Sequence, residues 1–334
     1  MEKQRNIPKL RFPEFKDKWE RKKLGDFYNN LRTGMTPSRA RPEYFTGDVL
    51  WITSGELNYG YISDTKEKIT EEAIKNTHLE VYPANTLFIA ITGLEAAGTR
   101  GKCAINKIPA TTNQSCMAFD KRENIDNLFL FFWYHRYGIS LYYKYAQGTK
   151  QQSFNNALVE KFEFALPSLT EQNRIAAFFT VLDKKIAELK SRQNLLEQYK
   201  KGILQKIFSQ ELRFQDNDGE NFPDWEFRYG GEMFTSISNK THNSDLPLLA
   251  ISQEFGAVPR NLIKYQISVT EKSIEGYKVV QVGDFIISLR SFQGGIEYSN
   301  YDGICSPAYI ILRSEVEINN SFYKFYFKTH KYIQ

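Results

Sequence analysis

The stretch "SLTEQNRIAAFFTVLDKKIAELKSRQNLLEQYKKGILQKIF", Ser168 to Phe208, holds no glycine or proline until Gly202. Those two residues disfavour helix most strongly, so their absence predicts one continuous helix. Ser168 and Glu171 have the spacing of a capping box, in which serine and glutamate each satisfy the other's free amide. Ile175, Leu182, Leu189, Leu196 and Ile203 recur at every seventh residue, and Phe178, Phe179, Ile186, Tyr199 and Ile207 widen the stripe. Lys184, Lys190 and Lys201 stand outside it. A heptad repeat of this kind is a coiled-coil seam. At 1.5 Å per residue, about forty residues make a rod of roughly 60 Å. One small domain cannot cover so long a stripe, so the seam asks for a partner helix. The same helix in a second copy is the most available one, which predicts a homodimer with twofold symmetry. The alternative is a core helix packed on its own domains, although such helices run to only about 8–20 residues.

On either side of this helix the sequence repeats itself. "LRFPEFKDKWE" (Leu10 to Glu20) returns as "LRFQDNDGENFPDWE" (Leu212 to Glu226), and "PANTLFIAITG" (Pro83 to Gly93) aligns with "QVGDFIISLRS" (Gln281 to Ser291). "FFWYHRY" (Phe131 to Tyr137) aligns with "YFKTHKY" (Tyr326 to Tyr332), His135 with His330 among them. A repeat kept in order over such a distance is a duplicated domain. The polar loop and long helix after Tyr137 have no second copy, so the second unit reads as incomplete. The expected division is 1–167 for an N-terminal segment and first domain, 168–209 for the helix, and 210–334 for the second domain. Within the first, "GDVLWIT", "NTLFIAIT", "CAINKI" and "CMAF" read as short strands between turns, and Asn124 to Ala146 as a helix.

With 334 residues, 41% hydrophobic and 25% charged, the composition is that of a soluble globular protein of about two domains. No apolar run approaches the ~18 residues of a membrane span, and "MEKQRNIPKL" has no apolar signal region. Cys103, Cys116 and Cys305 are scattered and form no C-x-x-C pair, which argues against disulfides and zinc and for a reducing cytoplasm. The net charge of +5 is unevenly placed, because residues 1–50 carry twelve Lys and Arg against seven Asp and Glu. A basic region suits a polyanion; a solvated surface is the bland reading.

No catalytic signature is present. In "GLEAAGTRGK" (Gly93 to Lys102), Gly93 and Gly98 have the spacing of a phosphate loop, but Thr99 stands where lysine is needed, so a Gly-rich hairpin is the expectation. His78, His135, His242 and His330 form no metal pair and no nucleophile signature. A dinucleotide fingerprint and the Asn-Pro-Pro-aromatic run of amino-methyltransferases are also missing. The expectation is a non-catalytic protein with no cofactor and no metal. The loops "RTGMTPSRARPEYF", "ITSGELN", "TTNQS" and "AQGTKQQSFNN" mix glycine with side chains that donate to phosphates and read base edges. Candidate DNA contacts are Arg32, Thr36, Ser38, Arg39, Arg41, Ser54, Asn58, Arg100, Asn113, Gln114, Lys150, Gln151 and Gln152.

"TGMTPSRARPEYFTGDVLWITSGELN" resembles the opening of the target-recognition domains of type I restriction-modification specificity subunits. "FALPSLTEQNRIAAFF" is similar to that family's junction into its conserved helix, with Pro167, Glu171, Gln172 and Ile175 matching. "KKGILQKIFSQELRF" resembles the far end of that helix and the re-entry into a second domain. The resemblance implies an α+β fold: two tandem mixed α/β recognition domains separated by a long coiled-coil-type helix, the second domain incomplete here. It implies that each domain reads one half of a split double-stranded DNA target while paired helices act as a spacer. It implies too that methyltransferase subunits, and restriction subunits through them, are partners that carry the chemistry. The chain departs from the family pattern in lacking the second junction and helix, and its region before Gly256 diverges from the "GMTPS" loop. A helical adaptor that no longer reads DNA, or an inactive fragment or recombination cassette, stands as the alternative.

Overall fold

The computed structural model describes residues 8–29, 31–242, 245–263, 274–288 and 295–329. His330 to Tyr332, aligned above with His135 to Tyr137, lie outside the described residues. The chain forms two compact units that divide between Leu189 and Lys190, inside the long helix.

Unit 1 is built on a five-stranded sheet in the order β2 (Arg32–Thr33), β9 (Cys116–Phe119), β6 (Leu87–Ala90), β7 (Cys103–Asn106), β4 (Tyr61–Ile62). β6 runs antiparallel to both β9 and β7. Every residue of these three strands is buried, which is why they read as continuous apolar runs and not as alternating ones. Helix α2 (Asn127–Tyr145) lays Phe131 and Tyr134 into the same core as Phe88 and Phe119. Gly93 to Lys102 joins antiparallel β6 and β7, as the hairpin reading expects. A second sheet orders β5 (Lys68–Ile69), β3 (Val49–Ile52) and β8 (Ala110–Thr112), with β3 and β8 parallel. α1 (Glu71–Thr77) is capped by Thr70, whose hydroxyl accepts from the Ala73 amide at 3.1 Å. β1 (Glu20–Lys23) pairs antiparallel with β10 (Glu163–Leu166), just beyond the short α3 (Asn156–Val159).

In unit 2, α5 (Gly230–Met233) leads into a four-stranded sheet of β11 (Phe234–Ile237), β18 (Ile310–Ser314), β15 (Phe285–Ile287) and β16 (Ile296–Tyr298). That order matches β2, β9, β6 and β7. "PANTLFIAITG" supplies β6 and "QVGDFIISLRS" supplies β15, so the sequence repeat is a repeat of strand order. β12 (Leu249–Ser252) pairs with β13 (Gly256–Pro259), and β14 (Lys278–Val280) with β17 (Gly303–Cys305). α6 (Asn320–Tyr326), capped by Asn319, occupies the place of the start of α2 and brings Phe327 against Phe234 and Phe285. All three cysteines are free and buried; burial pushes the thiols of Cys116 and Cys305 up to about 12 and that of Cys103 up as well.

The long helix α4 runs from Leu169 to Phe208. Its capping box is only half formed. Ser168 Oγ accepts from the Glu171 amide at 3.4 Å, but the Glu171 carboxylate does not turn back to Ser168. Arg11 Nε and Nη2 donate to it at 2.7 and 2.6 Å, and Trp19 Nε1 at 3.1 Å. A buried carboxylate gains more from a bidentate guanidinium than from one amide, which explains the departure. Gln172 completes the anchor: its Oε1 accepts from the Asp126 amide at 2.9 Å, and its Nε2 donates to the carbonyls of Asn124 and Pro167. "LRFPEFKDKWE" is thus a clamp on the first turn of α4.

Beyond the clamp, Ile175 and Ala176 pack on the unit 1 core, and Phe179 meets Phe132 at 5.1 Å between ring centres. From Val181 to Lys201 every residue is exposed. The five-heptad seam is therefore divided. Ile175 belongs to the core of unit 1, Leu182, Leu189 and Leu196 lie open, and Ile203 is half-buried. Among the described residues no helix is long and apolar enough to cross a membrane.

Candidate nucleic-acid interface

The strand registers of unit 1 bring the polar loops to one end of its sheets. Thr33 stands opposite Met117, Ala90 opposite Cys116, Ile89 opposite Cys103 and Ile52 opposite Thr112. The loops after β2, β3, β6 and β8 and before β9 therefore leave from the same edge. Backbone bonds tie them to one another: Gly34 N to Asn113 O at 3.2 Å, Asn113 N to Ile52 O at 3.0 Å, and Ile91 N to Ser115 O at 2.9 Å. Leu94 N donates to Gln152 O at 3.0 Å, which adds the 147–153 loop. The four loop stretches singled out in the sequence are brought together here.

Many of their polar side chains are spent on holding the loops. Arg39 forms a two-pronged ion pair with Glu67, one prong at 2.8 Å, and lies 4.1 Å over the Phe45 ring. That pairing holds the exposed Glu67 carboxyl below its ordinary range. Arg41 donates to Tyr44 Oη at 2.6 Å. Arg100 donates to the carbonyls of Leu94 and Glu95 and to Tyr143 Oη, with its guanidinium 4.3 Å over Tyr142. Gln152 Oε1 takes a hydrogen bond from Tyr142 Oη, and its amide donates to Glu95 at 2.9 Å. Thr36 Oγ1 donates to Gln114 Oε1 at 2.7 Å, bridging two loops. Asn113 Oδ1 accepts from the Ser115 amide and Asn58 Oδ1 from the Gly60 amide, each closing a tight turn. Arg32 makes a long, exposed contact of 3.5 Å with Glu80.

Ser38, Lys150 and Gln151 are exposed and Ser54 is half-buried. Gln151 and Lys150 thus keep their donors open to solvent at the rim. Sequence reasoning missed the anchors. Glu56 accepts from both the amide and the hydroxyl of Thr53, and the Trp51 indole donates to Met35 O at 3.1 Å. Thr53 and Glu56 have the Ser/Thr-x-x-Glu spacing, so that turn was legible. The long-range Trp51 bond was not. Among the described residues no cluster of three His, Cys, Asp or Glu could hold a metal ion.

A sheet that gathers tied polar loops at one end, its strand order repeated later in the same chain, defines a duplicated fold. Residues 16–198 match the model of the type I restriction modification DNA specificity domain, and the chain belongs to that family. It is 30% identical to the type I restriction enzyme MjaIX specificity subunit of Methanocaldococcus jannaschii over 66% of this chain and 48% of that protein, so it spans about half the length of that relative. The putative MjaX specificity subunit of the same organism is 24% identical over 98% of this chain and 80% of its own. The crystal structure of a type I restriction-modification S subunit from M. genitalium has the same fold, with a TM-score of 0.55 at 14% identity over 99% of this chain and 80% of that one.

Proposed function

We propose that the chain is a cytoplasmic DNA-reading specificity subunit without chemistry of its own. Each unit reads one part of a split double-stranded target. The long helix serves as a spacer, and methyltransferase subunits, with restriction subunits through them, assemble on the chain. The observation that carries this reading is the convergence of the 34–41, 53–58, 91–102, 113–115 and 147–153 loops on one edge of unit 1, in a chain of this family. The thirteen candidate contact residues are proposed to act there in two ways. Arg39, Arg41, Arg100, Asn113, Gln114 and Thr36 shape the edge through the bonds above. Lys150, Gln151, Ser38 and Ser54 meet the DNA, with Arg32, Asn58 and Gln152 beside them.

Lys150→Ala is expected to weaken binding evenly across sequences and to lower the salt slope of the affinity by about one unit, as loss of one phosphate contact does. Gln151→Ala is expected to relax one base position at a cost of ~1–3 kcal/mol. Filter binding over a salt series with a randomised-site library reads both. Unchanged affinity and selectivity in the two variants would remove the 147–153 loop from the interface. Binding with neither salt dependence nor selectivity in the unaltered chain would favour a helical adaptor instead.

The open seam at Leu182, Leu189 and Leu196 is proposed to pair with a second copy in solution. Burying a leucine is worth ~1.5–3 kcal/mol, and water is a poor neighbour for three in a row. Light scattering at micromolar concentration should give a dimer that Leu189→Lys turns into a monomer. A monomer before the substitution counts against the pairing.

A further inference from the structure

In the five loop segments that converge on the edge of unit 1, the large apolar side chains are buried with one exception. Leu57, Ile91 and Leu94 face inward, whereas Met35 is 52% exposed. A single exposed apolar residue is ordinary on a protein surface. Met35 is set apart by how its backbone is held. Its amide donates to the Thr112 carbonyl at 3.2 Å, and its carbonyl accepts from the Trp51 indole at 3.1 Å. Gly34 before it donates to the Asn113 carbonyl, and Pro37 just after it is buried. Trp51 is itself 2% exposed, so the one polar side-chain atom of a core tryptophan is directed to the backbone of an exposed methionine. With both backbone groups of Met35 engaged, the edge presents its side chain from a fixed position.

Residues 34–36 run alongside residues 112–114, and the last bond between them gives Gln114 a direction. Gln114 lies in a tight turn closed by Cys116 N to Asn113 O at 3.3 Å and by Ser115 N to Asn113 Oδ1 at 3.0 Å. Its side chain is exposed, and its Oε1 accepts from Thr36 Oγ1 at 2.7 Å. Glutamine ordinarily offers a base both an acceptor and a donor, and its pairing with adenine uses the two together. Here the oxygen is engaged by Thr36, and among the described residues the Nε2 donor makes no hydrogen bond. The side chain is therefore suited to a base that offers an acceptor. In the major groove guanine offers N7 and O6, adenine N7 and thymine O4, but thymine alone sets a methyl group beside its acceptor. A donor at Gln114 next to an apolar surface at Met35 matches that edge.

We propose, resting on the DNA-reading function above, that Met35 and Gln114 together read a thymine in the part of the target bound by unit 1. Gln114 Nε2 donates to O4, and the Met35 side chain covers the 5-methyl group. Met35 is then a specificity-determining residue in its own right. The polar side chains at the same edge can pair with acceptors and donors, but none of Ser38, Ser54, Lys150 and Gln151 offers a methyl group an apolar surface of this size. The thioether chain is unbranched and adapts its shape to what it covers, which suits it to a small apolar group at the floor of a groove.

The test uses the full chain and the duplex it selects from a randomised-site library, with each thymine replaced in turn by deoxyuridine, which lacks only the 5-methyl group. Fluorescence anisotropy reads the affinity. At one thymine the replacement should weaken binding about fourfold, the loss for one buried methyl group. In Met35→Ala the same replacement should cost less than about twofold, because the surface that covered the methyl is gone, and Met35→Leu should restore the loss. Gln114→Glu should shift the preference at that position from thymine towards cytosine, whose N4 amino group a carboxylate accepts. Circular dichroism checks that each variant is folded; the Met35 bonds to Thr112 and Trp51 are made by backbone and survive both substitutions. Selective binding in which no deoxyuridine matters, or in which its cost is the same with and without the Met35 side chain, overturns the thymine assignment and leaves the DNA-reading function standing. A Met35→Ala loss coupled to no methyl group would mark a wedge between base steps and overturns it equally, as does an unchanged base preference in Gln114→Glu. An unaltered chain without sequence selectivity overturns both the assignment and the function it rests on.

Discussion

Arg11→Ala should destabilise unit 1 by about 3 kcal/mol, the lower end of the cost of orphaning one partner of a buried ion pair. The Glu171 side chain is 2% exposed and that of Arg11 12% exposed, so water replaces little of what is lost. Among the described residues Trp19 Nε1 would remain as the one side-chain donor to the carboxylate. The damage should be local, because Glu171 and Gln172 hold the first turn of α4 to the Asp126 cap and the Pro167 carbonyl. Amide hydrogen exchange should accelerate between residues 169 and 180 before it does in β6 or β9. The double variant Arg11→Ala/Glu171→Ala should recover part of the loss, since no charge is then left buried. A loss below about 1 kcal/mol for Arg11→Ala would mean that the pair behaves as a surface contact.

Gly34→Ala should be comparably severe and should also abolish selective DNA binding by unit 1. A β-carbon at Gly34 would fall 1.6 Å from the Thr112 carbonyl oxygen and 2.3 Å from its carbon, a collision with backbone that no rotamer relieves. The 34–36 segment would have to part from residues 112–113. That breaks the bonds from Gly34 and Met35 and withdraws the carbonyl that holds the Trp51 indole. Forced overpacking of this kind costs about 3 kcal/mol, and here it lies at the joint of three loops. Gly98→Ala is the control, because its β-carbon would meet nothing within 4 Å. Thermal unfolding and binding to a selected site read both variants. Wild-type selectivity in Gly34→Ala would show that the joint is not needed for reading.

Why some of this could be read from sequence and some could not follows from how far each interaction reaches. The long helix was legible because the run from Leu169 to Lys201 holds no glycine or proline and leaves few alternatives, and its bounds of Leu169–Phe208 differ from the expected ones by one residue at each end. β6, β7 and β9 were legible because strands buried on both faces are apolar runs. The repeat foretold the shared strand order because the apolar runs that make β6 and β15 were kept while the loops between strands diverged. Two-residue strands such as β2, β4 and β5 give no period to detect. Glu171 shows a deeper limit. A glutamate three residues after a serine has the same local signature whether it turns back to its own cap or reaches a guanidinium 160 positions away. The sequence offers Arg39 and Arg100 as candidate DNA contacts; that each also closes a loop was not legible, because only the fold supplies Glu67 and Tyr143 as their partners.

The buried cysteines make the molecule convenient to instrument. Burial pushes the thiols of Cys116 and Cys305 up to about 12 and that of Cys103 in the same direction, which disfavours the thiolate at neutral pH. Maleimides and other alkylating reagents attack the thiolate, so the three buried thiols are expected to react slowly in the folded chain. A single Lys150→Cys substitution would place one reactive sulfur at the rim of the 147–153 loop. A dye or spin label attached there could follow that loop with little background from the three native sulfurs.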